Sequence, residues 1–486
     1  MLKKFTSLLA TCMIIFSLSG VQMPVEATAS PQIEKLDQSI QRIVKDEIEN
    51  ADVSIAIRDE EGRIIYDLNG NRKQKPASNM KLLTSAAALE ELGEDYRFQT
   101  NIYTTGNVKK GILYGDLYLQ GTGDPTLTIK DFDQFAHFLA QSGLKKIKGR
   151  IVADDYWFDQ DLLTPDIQKD DESYYYAAPV TALTMSPDND YDAGSIIVEA
   201  IGKKVGEKPY MKITPELGEL IIENKAKTVG SDEYRTIKIE REYRTNKIVV
   251  SGNLPLGQNW REWITVQNPT KHTMTLWKHS LKKNNIQYRK DQFYREKTPK
   301  NARLMIQKQS IPLAELMIPY MKLSNNSIAN ILVKTMGKLR MGQGSTKAGL
   351  SVLKQYAFSR QLDIDHWLFE DGSGMSHHNR VSSVLLTQLL YSIQAEKQWY
   401  GTFFNSLPVA GYSDRMIGGS LKNRLKTSIT KGKVFAKTGA IDGVNTLSGY
   451  LIGNSGKMYI FSVLVQNQKN TIPTIDEIVE VMVEKL

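Results

Sequence analysis

The chain has 486 residues, 41% of them hydrophobic and 24% charged, and a formal net charge of +8 at pH 7. That length is too great for a single core and implies two or three domains, and the ordinary apolar and charged fractions describe a soluble globular protein. The single cysteine excludes a disulfide framework, and a modest positive balance with no long basic run points away from nucleic acid and toward an anionic surface such as a cell wall.

Lys3 and Lys4 precede an apolar run from about Phe5 to Val21, too short and too near the N-terminus for a good membrane span. The segment 1–29 therefore reads as a signal peptide. Ala27-Thr28-Ala29 is the cleavage pattern, Val25-Glu26-Ala27 its alternative, and the mature start falls near Ser30. Cys12 lies inside the run behind Thr11, which does not fit a lipoprotein signal. The mature chain then has no thiol for catalysis or metal binding.

Residues 31 to 50 repeat Ile33, Leu36, Ile40, Ile43 and Val44 at helical spacing. Val53 to Arg58 and Arg63 to Tyr66 read as a hairpin, and Pro76 to Leu89 as a helix carrying Ser78 in its first turn. From about Phe98 short strands and turns follow, with one helix near Phe132 to Ser142 and a strand ending at Asp154-Asp155. Beyond Pro187 alternating segments suggest a smaller strand-rich unit. Helical patterning resumes at about Pro312 and breaks at Ser324-Asn325-Asn326, which places these residues on a short turn with exposed polar side chains. Val434 to Ala440, Leu447 to Ile452 and Met458 to Val465 form an antiparallel meander. The terminal stripe of Ile475, Ile478, Val479, Met482, Val483 and Leu486 has an acidic opposite face, which favours packing on the core over a membrane anchor.

Three short motifs carry chemistry. Ser78 and Lys81 share one helix face, so a hydroxyl and an amine can meet as nucleophile and base, and the helix N-terminus favours a developing oxyanion. The same spacing recurs at Ser142/Lys145, Ser280/Lys283, Ser351/Lys354 and Ser428/Lys431, so spacing alone does not single out Ser78. Ser324 to Asn326, which Ser251-Gly252-Asn253 imitates, reads by itself as a helix cap. Lys437-Thr438-Gly439 occurs once and reads by itself as the exposed end of a strand.

In this order the motifs resemble the serine-dependent penicillin-binding proteins and β-lactamases. The long stretch between Ser78 and Ser324 resembles the class C low-molecular-mass penicillin-binding proteins, the D-alanyl-D-alanine carboxypeptidase/endopeptidase family. Gly115 to Leu119 with Gly123-Asp124-Pro125, Asp371 to Ser376, and Leu407 to Gly411 look like further signatures. Asn330, His377 and the long segment Tyr412 to Gly419 depart from the pattern.

The resemblance implies an α/β (α+β) penicillin-binding/β-lactamase-like transpeptidase fold: an antiparallel sheet flanked by helices, with two inserted, strand-rich domains. The expected division is 30–95 with 306–486 for the peptidase domain, 96–187 with 268–305 for the first insert, and 188–267 for the nested β-rich one. It also implies an acyl-enzyme on Ser78, with Lys81 as general base and Ser324 as proton relay. Asn326 would bind the substrate amide, Lys437 and Thr438 its terminal carboxylate, and the N–H groups of Ser78 and of Ala440, after Gly439, the oxyanion. Lys81 must be neutral to act as a base, which requires burial or a neighbouring positive charge such as Lys437. The implied substrates are peptidoglycan stem peptides, with endopeptidase action on cross-links left open. β-Lactam antibiotics would acylate the site, and anionic wall polymers are candidate partners of the basic surface. Asp154 and Asp155 are candidates to meet a cationic stem-peptide side chain, with plain surface solvation the alternative.

No cofactor or metal is expected. The six histidines show no metal spacing, and His377 with His378 reads as a solvated loop. No Gly-x-Ser-x-Gly elbow occurs, and Gly342 to Lys347 lacks the order of a phosphate loop. Tyr174 to Tyr176 is either a sugar platform or a packed cluster. The expected protein is a secreted enzyme of the cell envelope. Two rivals stay open: a β-lactamase, which the long insertion disfavours, and a wall-binding protein with a vestigial site, which the full set of polar site residues disfavours.

Overall fold

The computed structural model describes residues 31–216, 220–289 and 292–486. The signal peptide read at 1–29, its Cys12 and the cleavage pattern at Ala27 to Ala29 lie outside these residues.

The chain begins with α1 (Pro31–Ile48), whose Leu36, Ile40, Ile43 and Ile48 form a buried stripe. An antiparallel hairpin follows, β1 (Asp52–Arg58) and β2 (Ile64–Leu68), and then α2 (Met80–Leu92). The helices past the inserted segments include α3 (Leu313–Lys322), α4 (Asn326–Met341), α5 (Thr346–Ser359) and α6 (Ser383–Ile393). The chain closes with β3 (Val434–Ile441), β4 (Val444–Ile452), β5 (Met458–Gln466) and α7 (Ile472–Lys485).

The five strands make one antiparallel sheet in the order β2-β1-β5-β4-β3. Both faces are covered, and β5 shows why its sequence reads as an unbroken apolar run. Phe461, Val463 and Val465 join the cluster of α1 and α7, whereas Ile460 and Leu464 join the cluster of α2, α4, α5 and α6. Successive strand residues point to opposite faces, so a strand covered on both sides must be apolar at every position. The acidic-faced terminal helix spends its apolar stripe, Ile475 to Val483, on this core.

α2 runs through the helical layer with every residue from Met80 to Leu89 buried. A helix apolar on all sides belongs in a core, and this one carries Lys81 into it. β3 lies at the sheet edge. Ala410 N donates to Val434 O and Ala436 N to Pro408 O, so the first half of that edge is covered. The neighbouring β4 meets the start of α2 with its face, where Thr446 Oγ1 donates to Pro76 O and Asn79 Nδ2 to Ser448 Oγ.

Two further apolar clusters occupy the stretch between α2 and α3. One gathers residues from Ile102 to Met185 with others from Met274 to Ile286, and the other lies within Ile196 to Val266. The first surrounds a five-stranded and a four-stranded sheet, each with parallel pairs, and the helices Ile129–Gln141 and Pro269–Lys283. The second helix escaped the periodicity reading, although its start is spelled out: Asn268 accepts from Lys271 N as the N-cap, and Pro269 takes the first helical position. Among the described residues no helix is long and apolar enough to cross a membrane.

Candidate active site

Ser78 sits in a tight turn, Ala77–Asn79, that runs straight into α2. Ala77 before it is held at φ 46° and Ser324 across the cleft at φ 60°. L-residues rarely adopt this conformation, and such backbone strain clusters where side chains must be aimed. Lys81 Nζ lies 2.8 Å from Ser78 Oγ, 2.6 Å from Asn326 Oδ1 and 2.7 Å from the Ser373 carbonyl oxygen. A neutral amine has two hydrogens and one lone pair. It can donate to Asn326 and Ser373 while accepting from the Ser78 hydroxyl.

The electrostatics favour that neutral form. Lys81 is fully buried, and its pKa is pushed down from 10.5 to about 7 by desolvation, with Asp371 pulling the other way. Burial, rather than the charge of Lys437, is therefore the cause. Lys437 is itself fully buried and lies well below its ordinary value, first through burial and then through Lys81. Its amine donates to Ser324 Oγ at 2.7 Å and to Thr438 O at 2.8 Å. So Lys437 is not the exposed end of a strand: Lys81 reaches Ser78, and Lys437 reaches Ser324.

The turn at 324–326 joins α3 to α4, but its asparagines are buried rather than exposed. Asn325 Oδ1 accepts from Ile328 N and caps α4, while its Nδ2 donates to Asp192 Oδ1 at 2.8 Å. Asn326 Nδ2 donates to the Tyr176 carbonyl at 2.8 Å, which leaves one N–H of that amide. Thr438 Oγ1 donates to Ser420 Oγ at 2.6 Å. Gly439 is required by contact: a Cβ there would meet Thr446 Oγ1 at 2.2 Å and both Pro76 O and Ser78 N at 2.9 Å. Ala436 N points off the outer edge of β3, and the two-residue period of a strand aims Ala440 N off the same edge.

Ser78, Ser324, Asn326 and Ala440 open on a single cleft of about 710 Å³. Several of its walls were not read from the motifs. Asp371, fully buried, gathers the N–H groups of Ser373, Gly374 and Ser376 and so presents the Ser373 carbonyl to Lys81. Gly374, at φ 88°, packs so closely that a Cβ would lie 1.8 Å from Ala77 O. The Asp371 to Ser376 motif was visible as a signature, yet this contact depends on a loop meeting a distant helix. Tyr175 and Tyr176 line the cleft, with Tyr174 stacked on Tyr176 at 5.6 Å. His377 and His378 also line it, and Asp166 accepts from His377 N. They line the cleft, and His378 is exposed there, as the reading of a solvated loop expects.

Asp154 and Asp155 belong elsewhere. Neither lines the cleft, and both are buried, so they neither meet a substrate there nor lie in solvent. Asp155 takes Arg295 Nε and Thr270 Oγ1, each at 2.6 Å, and Asp154 takes Gln120 Nε2 and Thr298 N. A buried carboxylate must be paired, and these two tie the strand Ile151–Asp154 to its neighbours. The serines of the repeated spacing are used locally or far from the cleft: Ser142 donates to Phe138 O, Ser351 to Lys347 O and Ser280 to Asp133. Among the described residues no cluster of three or more His, Cys, Asp or Glu could hold a metal ion.

Comparison with known proteins gives the following. The profile of the family described as "D-Ala-D-Ala carboxypeptidase 3 (S13) family" matches residues 34–485. A D-alanyl-D-alanine carboxypeptidase of Actinomadura sp. (strain R39) is 32% identical over 476 residues, which is 97% of this chain and 88% of that protein. The D-alanyl-D-alanine carboxypeptidase DacB of Haemophilus influenzae is 24% identical over 82% of each chain. The crystal structure of penicillin binding protein 4 (dacB) from Haemophilus influenzae superposes with a TM-score of 0.77 at 22% identity, over 91% of this chain and 97% of that one.

Proposed function

The chain belongs to the D-Ala-D-Ala carboxypeptidase 3 (S13) family of serine peptidases and is a D-alanyl-D-alanine carboxypeptidase, and on that premise we propose that Ser78 is its acylation nucleophile and Lys81 the base that activates it. The observation that carries this reading is the neutral-leaning amine of Lys81 at 2.8 Å from the Ser78 hydroxyl. A nucleophilic serine needs an adjacent base whose pKa lies near the working pH.

The penultimate carbonyl of a peptidoglycan stem peptide lies over Ser78. Lys81 takes the hydroxyl proton as Oγ attacks, and the oxyanion is received by the N–H groups of Ser78 and Ala440. Ser324, held by Lys437, passes a proton to the leaving amine. The terminal carboxylate of the substrate rests against Lys437 and Thr438, and its arrival restores the charge that burial disfavours on Lys437. The remaining N–H of Asn326 binds a substrate amide. The open edge of β3 aligns the peptide through added main-chain bonds. A β-lactam presents its carbonyl to the same atoms, so penicillin inhibits the enzyme by acylating Ser78.

The enzyme is secreted to the cell envelope, where its substrate lies. The peptidase domain comprises 30–95 and 306–486, the first insert 96–187 with 268–305, and the nested insert 188–267; the separate apolar clusters, one within 102–185 and 274–286 and the other within 196–266, support this division of the inserted stretch. The deciding experiment is Ser78→Ala. Release of D-alanine from a stem pentapeptide and labelling by a fluorescent penicillin are both expected to vanish, and survival of either would refute the assignment.

A further inference from the structure

Ser324 lies just past the end of α3, at the position glycine most often fills, in the left-handed conformation at φ 60°. A side chain there is strained and persists only where its surroundings fix it. α3 itself gives little help, since Ser324 N reaches Met321 O at a long 3.4 Å. Lys437 holds the hydroxyl from one side. On the other side the turn is fastened to residues 190–193, where the chain enters the nested β-rich segment. Asn325 Nδ2 donates to Asp192 Oδ1 at 2.8 Å and to Asp190 O at 3.0 Å, and Ser327 Oγ donates to Ala193 O at 3.1 Å. Asn325 and Asp192 are both buried, so water does not compete for their bond.

That fastening is itself anchored by the long segment Tyr412 to Gly419. Arg415 clasps Asp190 with two bonds, Nη1 to Oδ1 at 2.9 Å and Nη2 to Oδ2 at 2.8 Å. A planar guanidinium on both oxygens fixes direction as well as distance. The segment is ordered from within, for Met416 N donates to Asp414 Oδ1 and Gly418 N to Asp414 O, each at 2.7 Å. Its end packs backbone against backbone on α3: a Cβ on Gly419 would lie 2.5 Å from the Lys322 carbonyl oxygen. The next residue, Ser420, accepts from Thr438 Oγ1 at 2.6 Å. One loop therefore meets Thr438 through Ser420 and reaches Ser324 through Asp190 and Asn325. These are two of the groups that the acyl-enzyme reading assigns to the leaving side of the scissile bond.

We propose that Asp192 is a positioning residue for proton delivery to the leaving amine, aiming Ser324 through Asn325, and that Arg415 supports it by fixing Asp190. The assignment rests on the acyl-enzyme reading of Ser78 with Ser324 as the relay. In that step the amide C–N bond breaks as the Ser78 Oγ–C bond forms. The proton that Ser78 gives up to Lys81 is matched by the one that Ser324 delivers to the nitrogen and regains from the Lys437 ammonium. An amine is expelled only as it takes a proton, whereas a thiolate leaves without one. Asn326 is held separately, by Lys81 and the Tyr176 carbonyl, so the acylating half keeps its frame when Asp192 is lost. Burial, and then Asp188 and Asp190, hold the Asp192 carboxyl well above the usual carboxylate range against the pull of Arg415, which makes an amide its close substitute.

The test compares full-length wild type, Asp192→Ala, Asp192→Asn and Arg415→Ala on a stem pentapeptide and on the matching thioester, with sulfur in place of the scissile nitrogen. Asp192→Ala is expected to lose about a hundredfold in kcat/KM on the pentapeptide, the effect of displacing a reacting group by about 1 Å. Its thioester rate should stay within about twofold of wild type. Asp192→Asn, whose amide oxygen accepts from Asn325 as before, should bring the pentapeptide rate back to within about twofold. Arg415→Ala, at the half-exposed end of the chain of contacts, should show the same split at about tenfold. An equal fall on both substrates in a folded variant, an unchanged pentapeptide rate, or no rescue by Asp192→Asn overturns the proposal. Should Asp192→Ala fail to fold, seen by circular dichroism, the surface change Arg415→Ala decides alone. Ser324→Ala is the reference: if it shows the split and the other variants do not, the positioning fails and the relay stands, and if it spares the pentapeptide both fail.

Discussion

Replacing Asn326 by Asp tests whether the neutrality of Lys81 is what makes it a base. The change is isosteric and sets a carboxylate oxygen where Oδ1 now lies, 2.6 Å from Lys81 Nζ. In the wild type burial holds Lys81 at about 7, so half of it is neutral near pH 7. Because the base works only without its proton, acylation should rise as pH climbs through about 7 and then level off. An opposite charge in contact raises the pKa of an amine by roughly 1–3 units. The midpoint for Asn326→Asp then moves to roughly pH 8–10, and the active fraction at pH 7 falls to between about one in ten and one in a thousand. The assay is the stopped-flow rate of acylation by a fluorescent penicillin across the pH range. The readout is the midpoint, because the height also reports lost substrate contacts. Asn326→Ala, which adds no charge, serves as control: its plateau should drop without an upward shift of the midpoint. A midpoint for Asn326→Asp equal to that of the wild type would refute the argument that Lys81 acts as a neutral base tuned by its surroundings.

Two further perturbations separate positioning from stability. Gly439→Ala drives a methyl group into Thr446 Oγ1, Pro76 O and Ser78 N; a displacement of about 1 Å at the nucleophile should cost about a hundredfold in acylation rate, measured beside a thermal melt that moves little. Arg241→Ala removes the cation of a buried pair with Glu172, whose side chains are 1% and 9% exposed; breaking such a pair costs about 3–5 kcal/mol. It should open the nested segment to limited proteolysis at lower urea, while penicillin labelling by the folded protein persists, since Arg241 lies outside the catalytic cleft.

The elements that local chemistry defines were legible in the residues. The stripe of α1, the apolar meander of β3 to β5 and the acidic-faced α7 follow from periodicity, because a side chain's face depends only on its place along its own helix or strand. The three candidate motifs could be read because each needs only a few residues in a short span. The pair Asp154-Asp155 misled for the same reason. Adjacent acids in a sequence look like a charged surface, and only the packing of Arg295, Thr270 and Gln120 around them makes them internal ties.

Legible in the sequence alone were the candidate nucleophile, its lysine and the two partner motifs, along with the strands at both ends of the chain. Decided only by tertiary structure were the conditions under which those groups react. Lys81 leans toward its neutral form because α2 is buried on every side, and Ser373 reaches it because Asp371 folds a loop 292 residues away against it. The physical reason is the same in each case. Desolvation and enclosure depend on what surrounds a group in space, and contacts between residues far apart in the chain leave no local pattern from which to read them.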